Sequence, residues 1–96
     1  MYKIVWSNKA VSELEKSISW YAERSTVAVK NFQAEIISAR NQLERRPNSY
    51  LKINATYREM HLKKYPFTLI FRVNDEKKEV LITSVFHQSR NPKNKF

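Results

Sequence analysis

At 96 residues and 42% hydrophobic content, the chain fits one domain spanning residues 1–96, whose core covers a little over ~60% of the surface its unfolded form exposes. Cysteine and glycine are both absent, which excludes disulfides, thiol nucleophiles, zinc–cysteine and iron–sulfur sites, and also the glycine loops that cradle nucleotide phosphates, whose backbone a Cβ would block. Eighteen Lys and Arg against nine Asp and Glu give a net charge of +9, a positive field that either serves solubility alone or fits an acidic partner, nucleic acid or an acidic protein.

Residues 1–48 carry eight basic and five acidic side chains and residues 49–96 carry ten and four, so the excess is +3 in the first half and +6 in the second. Two histidines are poor material for a metal site, and no cofactor is expected. No apolar run approaches the ~18 residues that a membrane span needs. The opening residues turn polar too soon for a signal peptide, so a cytoplasmic protein without membrane contact is expected.

In chain order, residues 2–6 are β-branched and aromatic and suit a half-buried strand. Ser7 then offers a capping hydroxyl to a helix whose apolar stripe is Val11, Leu14, Ile18, Tyr21 and Ala22, with Glu13, Glu15, Lys16 and Glu23 off it. The break falls at residues 24–26, where Ser25 or Thr26 caps a second helix with the stripe Val29, Phe32, Ile36, Ala39 and Leu43. Two stripes in the same three-and-four rhythm predict an antiparallel helix hairpin. Arg45 and Arg46 suit the negative end of the second helix, and Pro47 forbids its continuation.

Residues 47–56 lack a clean period and read as a loop with room for a short extra strand. Three strands follow, at residues 57–62, 67–73 and 80–86, joined by turns rich in Lys, Pro, Asn and Asp. In the middle strand Phe67, Leu69, Phe71 and Val73 are assigned to the helix-covered face, and Thr68, Ile70 and Arg72 to an open one read as cationic. The predicted fold class is α+β, of order β-α-α-β-β-β, with a helix hairpin on one face of a mostly antiparallel four-stranded sheet.

Functional candidates concentrate in the second half. His87, Arg90, Lys93 and Lys95 follow the last strand in a basic tail, residues 87–96, that holds no acidic residue and is expected to be partly mobile. Arg58 and Arg72 lie on neighbouring strands; side by side they need a shared anion, from Glu59, Asp75, Glu79 or a ligand. His61 is placed as an exposed or edge imidazole. Trp6 and Trp20 read as core or helix-packing residues, whereas Tyr50, Tyr57 and Tyr65 sit near basic residues in a mixture that suits nucleic acid.

Several local phrases fall in a telling order. They are Ser7-Asn8-Lys9-Ala10 with Leu14 and Ile18, then Trp20-Tyr21, then Leu43 with Pro47. Tyr57-Arg58-Glu59-Met60 and the run Tyr65-Pro66-Phe67 through Ile70-Phe71-Arg72-Val73 come next, and Val85-Phe86-His87 with Arg90-Asn91-Pro92 closes the chain. Over its whole length this pattern resembles the RelE/ParE toxin superfamily. The resemblance implies a type II toxin silenced by a cognate acidic antitoxin in a toxin–antitoxin hetero-oligomer.

Two activities are implied by the branches of that superfamily: blocking DNA gyrase without chemistry (ParE-type), or cutting messenger RNA in the ribosome (RelE-type). Cleavage needs a base, an acid and a cation on the phosphate, and Arg58, His61, Arg72 and His87 are the candidates for it. Where ribonuclease members commonly carry an arginine this chain has Thr68, and His87 is followed by Gln88 and Ser89. That departure favours the ParE-like branch, with Arg58, Arg72, His87, Arg90 and Lys93 as target contacts. A third reading is an antitoxin-binding remnant without toxicity.

Overall fold

The computed structural model describes residues 1–89 together with Lys93 and Lys95. The tail residues 90–92, 94 and 96, on which most of the expected mobility and the Arg90 contact fall, lie outside the described residues. Strand β1 (Lys3–Trp6) leads into helix α1 (Asn8–Arg24) and helix α2 (Thr26–Arg45), and a turn of 3-10 helix at Pro47–Ser49 follows. Strands β2 (Leu51–Lys52), β3 (Arg58–His61), β4 (Phe67–Asn74) and β5 (Glu79–His87) complete the fold.

The sheet runs β1-β5-β4-β3-β2, with β1 parallel to β5 and every other pair antiparallel. It has five strands where four were expected. The added one, β2, pairs only Leu51 with Glu59 and Lys52 with Arg58, and both its residues are exposed. With no buried face it leaves no periodicity to read.

The caps fall where the hydroxyls predict. Ser7 accepts from the Ala10 N–H at 3.1 Å and Ser25 from Ala28 at 3.1 Å, so one serine separates the two helices. Phe32, Ile36, Ala39 and Leu43 of α2 pack on Met60, Leu69, Phe71, Val80, Ile82 and Val85 of the sheet.

Helix α1 departs from its expected stripe. Ala10, Glu13 and Ser17 are its buried positions, while Val11 is exposed and Leu14, Ile18 and Tyr21 are half-buried. The reason lies at the edge of β5. Strand β1 accompanies β5 only as far as Trp6 opposite Ile82, after which the chain turns into α1. Ser7 continues the pairing with its N–H on the Ile82 carbonyl at 2.9 Å and its hydroxyl on the Thr83 carbonyl at 3.1 Å. Nearly two turns on, Glu13 Oε1 accepts from the Val85 N–H at 3.0 Å and the Ser84 hydroxyl at 2.8 Å. A helix side chain thus replaces the missing strand partner, and small neighbours let α1 approach closely enough.

In β4, Phe67, Leu69 and Phe71 face the helices as expected. The opposite face differs from the expected open, cationic platform. Thr68, Ile70 and Phe86 are buried there, and Lys95 lies with Nζ 5.7 Å from the centre of the Phe86 ring. Arg72 is exposed nearer one end of that face.

Candidate functional site

Strand register decides which candidate side chains can meet. Directly paired residues share a face and successive residues alternate. Arg58 pairs with Phe71 and His87 with Phe67, so both project on the helix-covered side. His61 pairs with Thr68 and Arg72 with Leu81, on the other side. Arg58 and Arg72 therefore do not project beside each other, and the four residues considered for catalysis divide two and two between opposite faces.

Arg58 is held locally: its Nη1 donates to the Tyr50 carbonyl at 2.7 Å. Asp75, one of the anions considered for it, sits close enough to feel its charge. Asp75 Oδ1 accepts from the Tyr2 hydroxyl at 2.7 Å and the Asn48 amide at 2.9 Å. Those two hydrogen bonds, Tyr2 first, hold its carboxyl below the usual range, and the charges of Lys78 and Arg58 act in the same direction. The cluster ties the β4–β5 turn to the first strand and to the loop after α2.

His87 closes a cleft of about 420 Å³ between α1 and the end of the sheet, lined by Lys16, Trp20, Tyr21, Pro66, Phe67 and Ser89 among others. Its ring stands edge-on to Phe67 at 4.9 Å. Because the Ser89 N–H donates to His87 Nδ1 at 3.1 Å, the proton of the neutral ring belongs on Nε2. Trp20, expected to be a packing residue, is 52% exposed at the cleft mouth, with the Arg24 guanidinium 3.8 Å above its ring. Arg24 is kept there by a 2.8 Å bond from Nη1 to the Trp20 carbonyl.

On the opposite face His61 bridges two partners. Nδ1 lies 2.7 Å from Thr68 Oγ1 and Nε2 lies 3.2 Å from Glu59 Oε1. A carboxylate only accepts, so Nε2–H donates to Glu59, and in the neutral ring Nδ1 then accepts from the threonine hydroxyl. Lys95 Nζ reaches Glu59 Oε2 at 3.4 Å. His61 is exposed at the sheet edge, as expected. Lys93 is exposed on the tail.

Tyr50 and Tyr65 pack against the core, their hydroxyls bonded to Gln42 Oε1 at 2.8 Å and the Ala28 carbonyl at 3.2 Å, rather than standing free as base-stacking platforms. The Trp20 cleft was not legible in advance, since its walls come from residues 16–21 and 66–89. Among the described residues no group of three His, Asp or Glu is arranged to hold a metal ion, and no helix is long and apolar enough to cross a membrane.

A family model described as the ParE toxin of the type II toxin–antitoxin system, parDE, matches residues 4–92. Among solved structures, the chain is similar to one described as the chromosomal ParDE TA system from P. aeruginosa, at 21% identity and TM-score 0.75, covering 91% of this chain and 96% of that one. It is also similar to the isolated E. coli RelE toxin, at 14% identity and TM-score 0.61, covering 99% and 93%. A chain of the intact E. coli RelBE toxin–antitoxin complex matches at 16% identity and TM-score 0.60, covering 94% and 100%. At such identities the structural likeness shows a shared fold. No curated protein matches.

Proposed function

From the premise that the chain belongs to the ParE toxin family of type II toxin–antitoxin systems, we propose that it arrests growth by gripping DNA gyrase and performs no chemistry of its own. In this reading it works in the cytoplasm and is neutralised in a hetero-oligomer with an acidic antitoxin. One observation carries the choice between the two activities of the superfamily. Arg58 and His87 project on one side of the sheet and His61 and Arg72 on the other, so the base, acid and cation that phosphodiester cleavage needs cannot be drawn from all four around one phosphate.

Contact with a macromolecule makes no such demand. His87 at the cleft mouth, Arg72 on the opposite face, Arg58 at the β3 edge, and Arg90 and Lys93 of the tail are the proposed target contacts. Gyrase supercoiling and translation of defined messages, run with the purified chain, test the proposal. Loss of supercoiling with messages intact is the expected result, weakened by His87→Ala and by Arg72→Ala. Codon-specific cuts abolished by either substitution overturn it in favour of a RelE-like endoribonuclease. Normal growth of induced cells, with neither effect in vitro, assigns the chain to the antitoxin-binding remnants.

A further inference from the structure

Helix α1 carries on its outer surface an aromatic ring and a cation that the core does not use. Trp20 is 52% exposed, yet its ring is held in place. The Arg24 guanidinium lies 3.8 Å above it, Arg24 Nη1 is bonded to the Trp20 carbonyl at 2.8 Å, and the Tyr21 ring stands edge-on at 5.1 Å. A large side chain fixed beforehand loses little freedom on binding, and tryptophan, tyrosine and arginine are the residues that most often carry contact energy between proteins.

Beside the ring opens the cleft of about 420 Å³ that His87 closes, a space that admits one aromatic side chain with its adjoining backbone. Tyr21, Pro66 and Phe67 supply apolar walls, and the polar groups around them donate. The Lys16 ammonium, the Trp20 indole N–H and the His87 Nε2–H have no hydrogen-bond or ion-pair partner among the described residues, and no carboxylate among those residues lines the cleft. An adjoining, shallower groove on α1, which shares Lys16 and Trp20 with the cleft, carries the exposed carboxylates Glu15 and Glu23. Two carboxylates so near repel a continuous phosphate chain, whereas a peptide can set its own carboxylates on the side of Lys16 and His87 alone. A protein segment is therefore favoured over nucleic acid.

We infer that the Trp20 cleft is an anchor pocket for an acidic segment of the target protein. An aromatic side chain of that segment enters between Trp20 and Phe67, and carboxylates beside it meet the Lys16 ammonium and the His87 Nε2–H. A second copy of this chain is disfavoured as occupant because each copy carries +9. The inference rests on the reading of the chain as a toxin that grips gyrase, and it names the chemistry of the gyrase segment that is gripped and the place on this chain that receives it.

The purified chain, labelled with nitrogen-15, is titrated with a capped tripeptide, aspartate–phenylalanine–aspartate. The expected result is shifts at the Trp20 indole N–H and at the amides of Lys16, Tyr21 and His87, with the Trp6 indole unmoved. A lysine–phenylalanine–lysine tripeptide should bind there at least about tenfold more weakly, and an oligothymidine should leave the Trp20 indole unmoved. In gyrase supercoiling assays two variants approach the cleft from different sides: Ser89→Trp fills it from the wall opposite the helix, and Lys16→Glu reverses the charge at its rim. Each should raise the half-inhibitory concentration by about tenfold or more. Lys30→Glu, an exposed position on α2 with the same change in net charge, should not, and retained amide dispersion verifies the fold of all three. A Trp20 indole that ignores the acidic tripeptide, equal binding of the lysine tripeptide, an indole that answers to oligothymidine, or equal losses in Lys16→Glu and Lys30→Glu overturns the inference. Supercoiling untouched by the wild-type chain marks failure of the gyrase reading itself, whereas inhibition that Ser89→Trp retains in full marks failure of the anchor pocket alone.

Discussion

Replacing Glu13 with alanine tests whether a helix side chain truly stands in for a missing strand. The carboxylate is buried and accepts from the Val85 N–H and the Ser84 hydroxyl, at 3.0 and 2.8 Å, and Ser84 is itself fully buried. Truncation orphans both donors, each at about 1–3 kcal/mol. Partial rehydration of the vacated space brings the expected total to about 3 kcal/mol, a large share of the ~5–15 kcal/mol that keeps a domain folded. For a chain of this size the melting temperature should fall by about 12–24 °C. Glu13→Gln keeps an acceptor oxygen and should cost about 1 kcal/mol. Glu15→Ala, on the exposed side of the same helix, should stay within about 0.5 kcal/mol of wild type. Thermal and urea denaturation followed by circular dichroism give all three values, and Glu13→Ala combined with Ser84→Ala should be less than additive. Equal stability of the Glu13→Ala and Glu15→Ala variants would refute the edge-satisfaction argument.

Other consequences can be measured with the same protein. Asp75 titrates below the ordinary value of 3.8 because of Tyr2 and Asn48. Its stabilising effect is therefore complete above that value and is lost as pH falls through the lower folded pKa. Tyr2→Phe should move the Asp75 carboxyl-carbon titration upward, and an unmoved curve counts against the assignment. Thr68→Val keeps the shape of a buried side chain while removing the hydroxyl at His61 Nδ1; a loss of about 0.5–1.5 kcal/mol in urea is expected, with changed ring nitrogen shifts at His61. Association with an acidic antitoxin should slow as salt rises, since +9 on so small a body steers encounter, and a salt-independent on-rate would exclude that role. Trp20→Ala should leave the fold intact because the ring is half in solvent, and gyrase inhibition unaffected by it would remove the Trp20 cleft from the contact surface.

The elements with a buried stripe were legible in the sequence. The second helix showed its core residues, Phe32, Ile36, Ala39 and Leu43, because its apolar side chains recur on one face and nothing polar is buried among them. The first helix did not. Its buried face is Ala10, Glu13 and Ser17, and hydropathy places a glutamate outside however well its oxygens are bonded within the fold. Strand β2 escaped because both its residues are exposed. The two faces of β4 were separable by alternation, but the burial of Thr68 and Ile70 on the second face was not, since alternation tells the faces apart without saying which of them is covered. Arg58 and Arg72 illustrate the remaining limit. Their relation depends on strand register, and a slip of one residue would have placed them on the same side.

Spacing along a face bears on activity as strongly as the split between faces. His61 sits opposite Thr68, and Arg72 is four residues further along β4, a separation of about 13 Å along the strand at ~3.3 Å per residue. A base and a phosphate-binding cation must each approach the same phosphodiester to within about 3 Å, so this pair could serve one scissile bond only with the arginine extended along the strand toward the histidine. On the helix-covered side, Arg58 and His87 are likewise at different ends of their strands: Arg58 opens β3 and is committed to the Tyr50 carbonyl, while His87 ends β5 against Phe67. Cations dispersed in this way suit an interface of about 800 Å² per partner, where each contributes separately to a wide contact. The same dispersion predicts how the contacts fail. Arg72→Ala and His87→Ala lie on opposite faces, so their effects on gyrase inhibition should add, whereas residues sharing one catalytic step give a double variant little worse than the weaker single one.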